Sequence, residues 1–173
     1  MTGSETELRL QIVALLPRLR RFAFALTGRQ DEADDLVQSA CLKALDRLSQ
    51  YEVGTRLDSW MFKIVQTTFL DEVRSRSRRA KDTVVNEDIN AVGFDARIHE
   101  RTEARADLAI IRAKINELPA EQRELLALVV VDGMSYQSAA EVLDVPIGTV
   151  MSRLARARKK LASALQDAAV HAI

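Results

Sequence analysis

The chain has 173 residues, 47% apolar and 29% charged, with 25 basic and 25 acidic side chains in exact balance, a composition that excludes a disordered polymer and suits one ordinary or two small globular domains. A lone Cys41 excludes an internal disulfide, and two histidines, His99 and His171, provide no ligand cluster for a transition metal. With no apolar run of the ~18 to 20 residues a membrane span needs and a polar start, MTGSETELRL, the expectation is a cytoplasmic protein with no metal, no cofactor and no membrane insertion.

Few glycines, prolines and aromatics favour helix throughout. Leu8, Ile12, Leu15, Leu16, Leu19, Phe22, Ala23 and Leu26 recur at steps of three and four, the pattern of an amphipathic helix, with Pro17 expected to kink or split it. After Thr27-Gly28-Arg29-Gln30, a second helix opens on Asp31, Glu32, Asp34 and Asp35, acids suited to the positive end of a helix dipole. Its apolar positions are Ala33, Leu36, Val37, Ala40, Cys41, Ala44, Leu45 and Leu48. A turn-prone stretch from Ser49 to Thr55 leads to a third helix over Asp58 to Arg79. Trp60, Ile64, Thr67, Thr68, Phe69 and Val73 are expected on its buried side, and it ends in Arg74, Arg76, Arg78 and Arg79. Residues 8–79 thus read as one helical domain.

Residues 80–107 carry four basic and seven acidic residues and little apolar periodicity, which reads as a flexible linker with some helical character near Ala96 to Ala106. A second helical domain follows over 108–166. Ile110, Ile111, Ile115 and Leu118 share one face up to Pro119; LPAEQRELLALVVVDGMS then runs as a helix to Asp132-Gly133, with Val129-Val130-Val131 expected as buried helix. Ser135 can cap a short helix whose Tyr136, Ala139, Ala140 and Leu143 form a packing face, and Asp144-Val145-Pro146 breaks it. Two helices joined by so short a turn have the helix-turn-helix shape, whose second helix enters the DNA major groove.

At ~100° per residue with Thr149 at zero, Ser152, Arg153, Arg156, Lys159 and Lys160 fall within ~80° either side. Val150, Leu154, Ala157 and Leu161 cluster on the opposed flank near ~110°. No acid occurs between Asp144 and Asp167, so the cationic face is unopposed within its own helix. Arginines there can contact phosphates or read guanine edges, and lysines suit phosphate. A solvated surface is the alternative reading of a basic face, but the packing helix, the proline break and the segregation of faces favour DNA.

MSYQSAAEVLDVPIGTVMSRLARARKKL resembles the −35 reader of the bacterial extracytoplasmic-function sigma factors of the sigma-70 family. In the front half, DEADDLVQSACLKAL resembles that family's polymerase-docking helix, and LDSWMFKIVQTTFLDEVRSRSRR its −10 element helix. FALTGRQDEADDLVQ and YEVGTRLDSWMFKI look nearest to the general-stress subgroup.

The resemblance implies an all-α protein of two small helical domains joined by a flexible linker, the C-terminal one containing a helix-turn-helix. It implies no catalytic residues, and the partners are core RNA polymerase through its β′ and β subunits, promoter DNA and an anti-sigma factor. Asp34, Asp35, Leu36, Gln38 and Leu42 would face polymerase, with Leu36 open to a core role instead. Tyr51, Lys63, Gln66, Thr67, Leu70, Arg74, Arg76, Arg78 and Arg79 would meet the −10 element, Tyr51 either capturing a flipped base or anchoring its loop. Thr149, Ser152, Arg153, Arg156, Lys159 and Lys160 would meet the −35 element. Two departures bear on promoter preference: Gln66-Thr67-Thr68 stands where the family often has an Asn, and Met151 where it commonly has Arg or Lys.

Three other functions compete with this reading. A dimeric helix-turn-helix regulator would need a dimerisation element beyond Leu165 or before Leu8; a nucleic-acid enzyme would need more than Asp71 and Glu72; a sigma-mimicking adaptor has no use for the basic helix.

Overall fold

The computed structural model describes the backbone of residues 3–82 and 113–171 and the side chains of 5–79 and 113–163. The linker beyond residue 82, the helical character expected near Ala96 to Ala106, and Ile110 and Ile111 lie outside the described residues. Among the described residues every regular element is helical. Helix α1 spans Gly3–Thr27, α2 Gln30–Asp46 and α3 Leu57–Asp82, with a single 3₁₀ turn, Leu48–Gln50, between the last two.

Helix α1 runs through Pro17 without a break. The amide that proline lacks would have bonded Val13, which is 58% exposed, so water can satisfy the orphaned carbonyl. The expected stripe does turn inward: Ile12, Leu19, Phe22, Ala23 and Leu26 are buried. Gly28, at φ 71°, ends the helix in the left-handed region, its N–H bonding the Phe24 carbonyl at 2.8 Å. Helix α2 then buries Ala33, Leu36, Val37, Ala40 and Ala44.

Helix α3 packs against α1, α2 and the second domain, so its buried arc is wider than one stripe. Met61, Phe62 and Val65 are fully buried beside Ile64 and Thr68, none of the three having been expected there, while Thr67 is exposed. Phe22 and Phe62 meet edge to face, their ring centroids 5.3 Å apart.

In the second domain residues 113–116 are helical, and Pro119 precedes α4, Ala120–Leu125. The chain continues as a wider π turn over Leu126–Val131, where Asp132 N–H bonds Ala127 O at 2.9 Å, five residues back. Val129 to Val131 are therefore helical as expected, but the expectation of burial is corrected: Val130 and Val131 are 58% and 59% exposed. The added residue in the π turn shifts the phase, so Leu126 to Leu128 occupy the core instead. Gly133, at φ 73°, closes the segment.

Helix α5, Tyr136–Leu143, is capped by Ser135, whose Oγ accepts from Ser138 N–H at 3.0 Å. Asp144 turns the chain at φ 56°, and after Val145 and Pro146 helix α6 runs over Ile147–His171. Val150, Leu154 and Ala157 are buried against α4 and α5 as the angles require. Apolar residues of both domains form one continuous core.

Leu36 has no exposed surface, whereas Leu42, six residues on, is 59% exposed. Truncating Leu36 to Ala is expected to cost about 2–5 kcal/mol, and Leu42→Ala to stay within about 0.5 kcal/mol of the parent, both read by chemical denaturation.

Candidate nucleic-acid and polymerase interface

Three surfaces were expected from the sequence, and the structure treats them differently. On α2, Asp34, Asp35, Gln38 and Leu42 are exposed, and 35, 38 and 42 recur at helical steps along one face. Asp34 is ion-paired to Arg20 at 3.2 Å. Leu36 is the correction: it points into the core and has no surface to offer a partner.

On α6, Ser152, Arg156, Lys159 and Lys160 are exposed and Thr149 half-buried. Ser152 Oγ donates to Thr149 O at 3.1 Å, and Arg156 Nε donates to Ser152 O at 3.3 Å, which lays both side chains along the helix. Arg153 is held at 2.8 Å by Glu121 of α4, and its side chain is only 19% exposed. The cationic face is thus displayed from Arg156 onward and partly neutralised at Arg153. Met151, 55% exposed, adds an apolar surface at the head of the helix.

The −10 set is the one most altered by tertiary packing. Tyr51 anchors its loop: its hydroxyl donates to Thr55 O at 2.6 Å and its ring lies 5.3 Å from that of Trp60. Lys63 Nζ donates to Glu141 O of α5 at 3.2 Å. Gln66 is 6% exposed and donates through Nε2 to Glu124 Oε2 of α4 at 3.1 Å, so it does not stand on the surface where a DNA contact was expected. Thr67 is exposed with its hydroxyl turned to Lys63 O at 2.9 Å, and Leu70 is 38% exposed. Between Lys63, Gln66, Thr67 and Leu70 on one side and Val142, Leu143 and Asp144 on the other lies a cavity of about 210 Å³. Arg74 is 3.7 Å from Asp71, Arg76 is 3.2 Å from Glu32, Arg79 donates to Ser75 Oγ at 2.8 Å, and Arg78 is exposed.

What brings α3 against the second domain is a set of charged residues that periodicity did not single out. Arg18 of α1 donates from Nε and Nη2 to both oxygens of Asp132, at 2.8 and 2.6 Å, and from Nη2 to Asp58 at 3.2 Å. Its guanidinium also lies 5.6 Å from the centre of the Phe62 ring. Arg56 extends the network, bonding Asp58 at 3.0 Å and Ser138 Oγ of α5 at 2.6 Å. Burial alone would raise the Asp58 carboxyl, but hydrogen bonds from Arg56, the Ser59 amide and Arg18 outweigh it and hold it below its ordinary value. The sequence did contain a signal: Arg18 stands at helical steps from Leu15 and Phe22, and Glu124 from Ala127 and Leu128, so each is a charge in the buried phase.

Residues 12–79 match Sigma-70 region 2 and residues 108–161 match Sigma-70, region 4. The chain is 36% identical over 158 residues to the ECF RNA polymerase sigma factor EcfG of Rhodopseudomonas palustris, covering 91% of this chain and 84% of that one. Its fold is similar to the sigma factor RpoE of Bartonella quintana, solved in complex with the anti-sigma factor NepR, with a TM-score of 0.77, 33% identity, and 92% and 97% of the two chains covered. It also resembles CnrH, solved in complex with the cytosolic domain of CnrY, with a TM-score of 0.66, 25% identity, and 96% and 91% covered.

Arg18 and Asp132 can be tested as a pair. The coupling between Arg18→Met and Asp132→Asn, from a double-mutant cycle by urea denaturation, is expected to be about 1–3 kcal/mol, and additive effects would mean the bidentate contact contributes nothing. With both Sigma-70 regions in order along a helical chain, and a relative 36% identical over most of both chains, the chain belongs to the extracytoplasmic-function RNA polymerase sigma factors.

Proposed function

We propose that this chain binds core RNA polymerase and directs promoter recognition, strand opening and transcription initiation, under the control of an anti-sigma factor. The observation that carries this reading is the pairing of two matched regions with two displayed surfaces of the right chemistry: the acidic and apolar face of α2 at Asp35, Gln38 and Leu42, and the cationic face of α6 at Arg156, Lys159 and Lys160. Asp34 flanks the first face, while Leu36 supports it from the core.

The −10 element meets α3 through Lys63, Gln66, Thr67 and Leu70, with Arg74, Arg76, Arg78 and Arg79 on duplex phosphates, once the second domain has moved off that face. Tyr51 holds the preceding loop in shape and leaves base capture to the loop's polar groups. The −35 element meets Thr149, Ser152, Arg153, Arg156, Lys159 and Lys160, whose arginines suit base edges and whose lysines suit phosphate. Such a factor is non-catalytic and acts in the cytoplasm; no helix among the described residues is long and apolar enough to cross a membrane. Control by an anti-sigma factor is supported by the solved relatives, which were captured with NepR and with CnrY. The general-stress assignment rests on the resemblance of FALTGRQDEADDLVQ and YEVGTRLDSWMFKI.

Run-off transcription with core polymerase on a promoter library tests the whole reading: promoter-specific starts are expected, and starts no different from those of core alone would overturn it. Within that assay Arg156→Ala and Arg153→Ala are expected to weaken −35 recognition by about 1–3 kcal/mol each and to leave polymerase binding intact. Asp35→Ala is expected to do the reverse. Equal loss of polymerase binding in all three would place the effects on folding.

A further inference from the structure

The contact that covers the −10 face is chemically incomplete. Glu124 is 8% exposed, and its Oε2 accepts a single hydrogen bond, 3.1 Å from Gln66 Nε2, at the junction of α3 and α4. The two cations near it, Arg153 and Arg123, are each committed to other partners. Arg153 of α6 is ion-paired to Glu121, which adds like charge from the same helix as Glu124. Arg123, the neighbour in sequence, points its guanidinium at the carbonyls of Ala25, Asn116 and Leu118. Across the contact, Gln66 Oε1 is buried and has no hydrogen-bond partner.

A carboxylate opposite a neutral amide accepts one bond and leaves that amide's oxygen unsatisfied, at the desolvation cost of a buried charge. A carboxylic acid is complementary to a primary amide: its carbonyl accepts from Nε2 and its O–H supplies the donor that Oε1 lacks. We propose that closure of the two domains is proton-linked, Glu124 taking up a proton as it docks on Gln66 and the docked carboxyl then covering a promoter contact until the domains part. That the covered group is a promoter contact rests on the function proposed above; the proton linkage rests on the interface alone.

Burial, with a smaller push from Glu121, raises the Glu124 carboxyl from 4.5 to about 7, the Gln66 hydrogen bond and the charges of Arg153 and Arg123 opposing it only in part. For a carboxyl raised in the closed form, the stabilisation of that form is full below 4.5, declines as the pH rises through 7 and is gone above it. Protons therefore close the molecule. Between pH 6 and pH 8 the closing equilibrium changes about tenfold.

Small-angle scattering from the full chain at constant salt reads this without DNA or polymerase. The radius of gyration is expected to be larger at pH 8 than at pH 6, and Glu124→Gln, which keeps an uncharged partner for Gln66, to remain compact at both. Scattering of the parent that does not change with pH, or a change that persists in Glu124→Gln, would overturn the linkage. The ¹³C shift of the Glu124 carboxyl provides a second reading in the unaltered protein: a midpoint near 7 is expected, and one near 4.5 contradicts it. Either failure leaves the transcription assay untouched, and a failed transcription assay leaves the linkage standing.

Discussion

Arg18 is the side chain on which the arrangement of the two domains turns. It reaches from α1 to Asp58 at the head of α3 and to Asp132 at the end of the π turn, and so ties three distant segments to one guanidinium. The Asp132 side chain is only 6% exposed, so its charge would be costly without a partner, and a planar, bidentate donor is the partner that satisfies both oxygens at once. The same group lies over the ring of Phe62, which is fully buried. The π turn belongs to this contact: by inserting a residue before Asp132 it exposes Val130 and Val131 and keeps Leu126 to Leu128 inward.

Closure engages residues proposed above to read the promoter. Lys63 and Gln66 of α3 bond α5 and α4, and Arg153 of α6 is held by Glu121. Glu121 and Glu124, one turn apart on α4, thus hold one proposed reader from each domain. At Gln66 contact with α4 and contact with a base exclude each other, because a side chain with 6% exposure has no surface left for a second partner. Open to solvent in this closed form are the α2 face and the α6 lysines, the surfaces suited to first encounter with polymerase and with phosphate.

The helices and their inward faces were legible because burial on one side leaves a period of three to four residues, seen in α1 at Ile12, Leu19, Phe22 and Leu26 and in α6 at Val150, Leu154 and Ala157. The helix-turn-helix was legible from Ser135, Asp144 and Pro146, whose preferences are local. Period failed where an element has more than one neighbour: α3 buries Met61, Phe62 and Val65 because it is covered on several sides. It failed at Val129 to Val131 because a π turn changes the count of residues per turn. The interdomain contacts Arg18–Asp132, Arg56–Ser138 and Gln66–Glu124 join residues 114, 82 and 58 apart. No local pattern names such a partner, although a charge in the buried phase marks that one is needed.

The central claim is that the faces that hold the domains together are the faces that promoter binding requires. A distance between spin labels measures this directly, with cysteines at the exposed positions Ala14 and Ser163 and Cys41 replaced by Ser. A single narrow distance distribution is expected for the free chain and a different, shifted one for the chain bound to core polymerase and promoter. The same distribution in both would contradict the account.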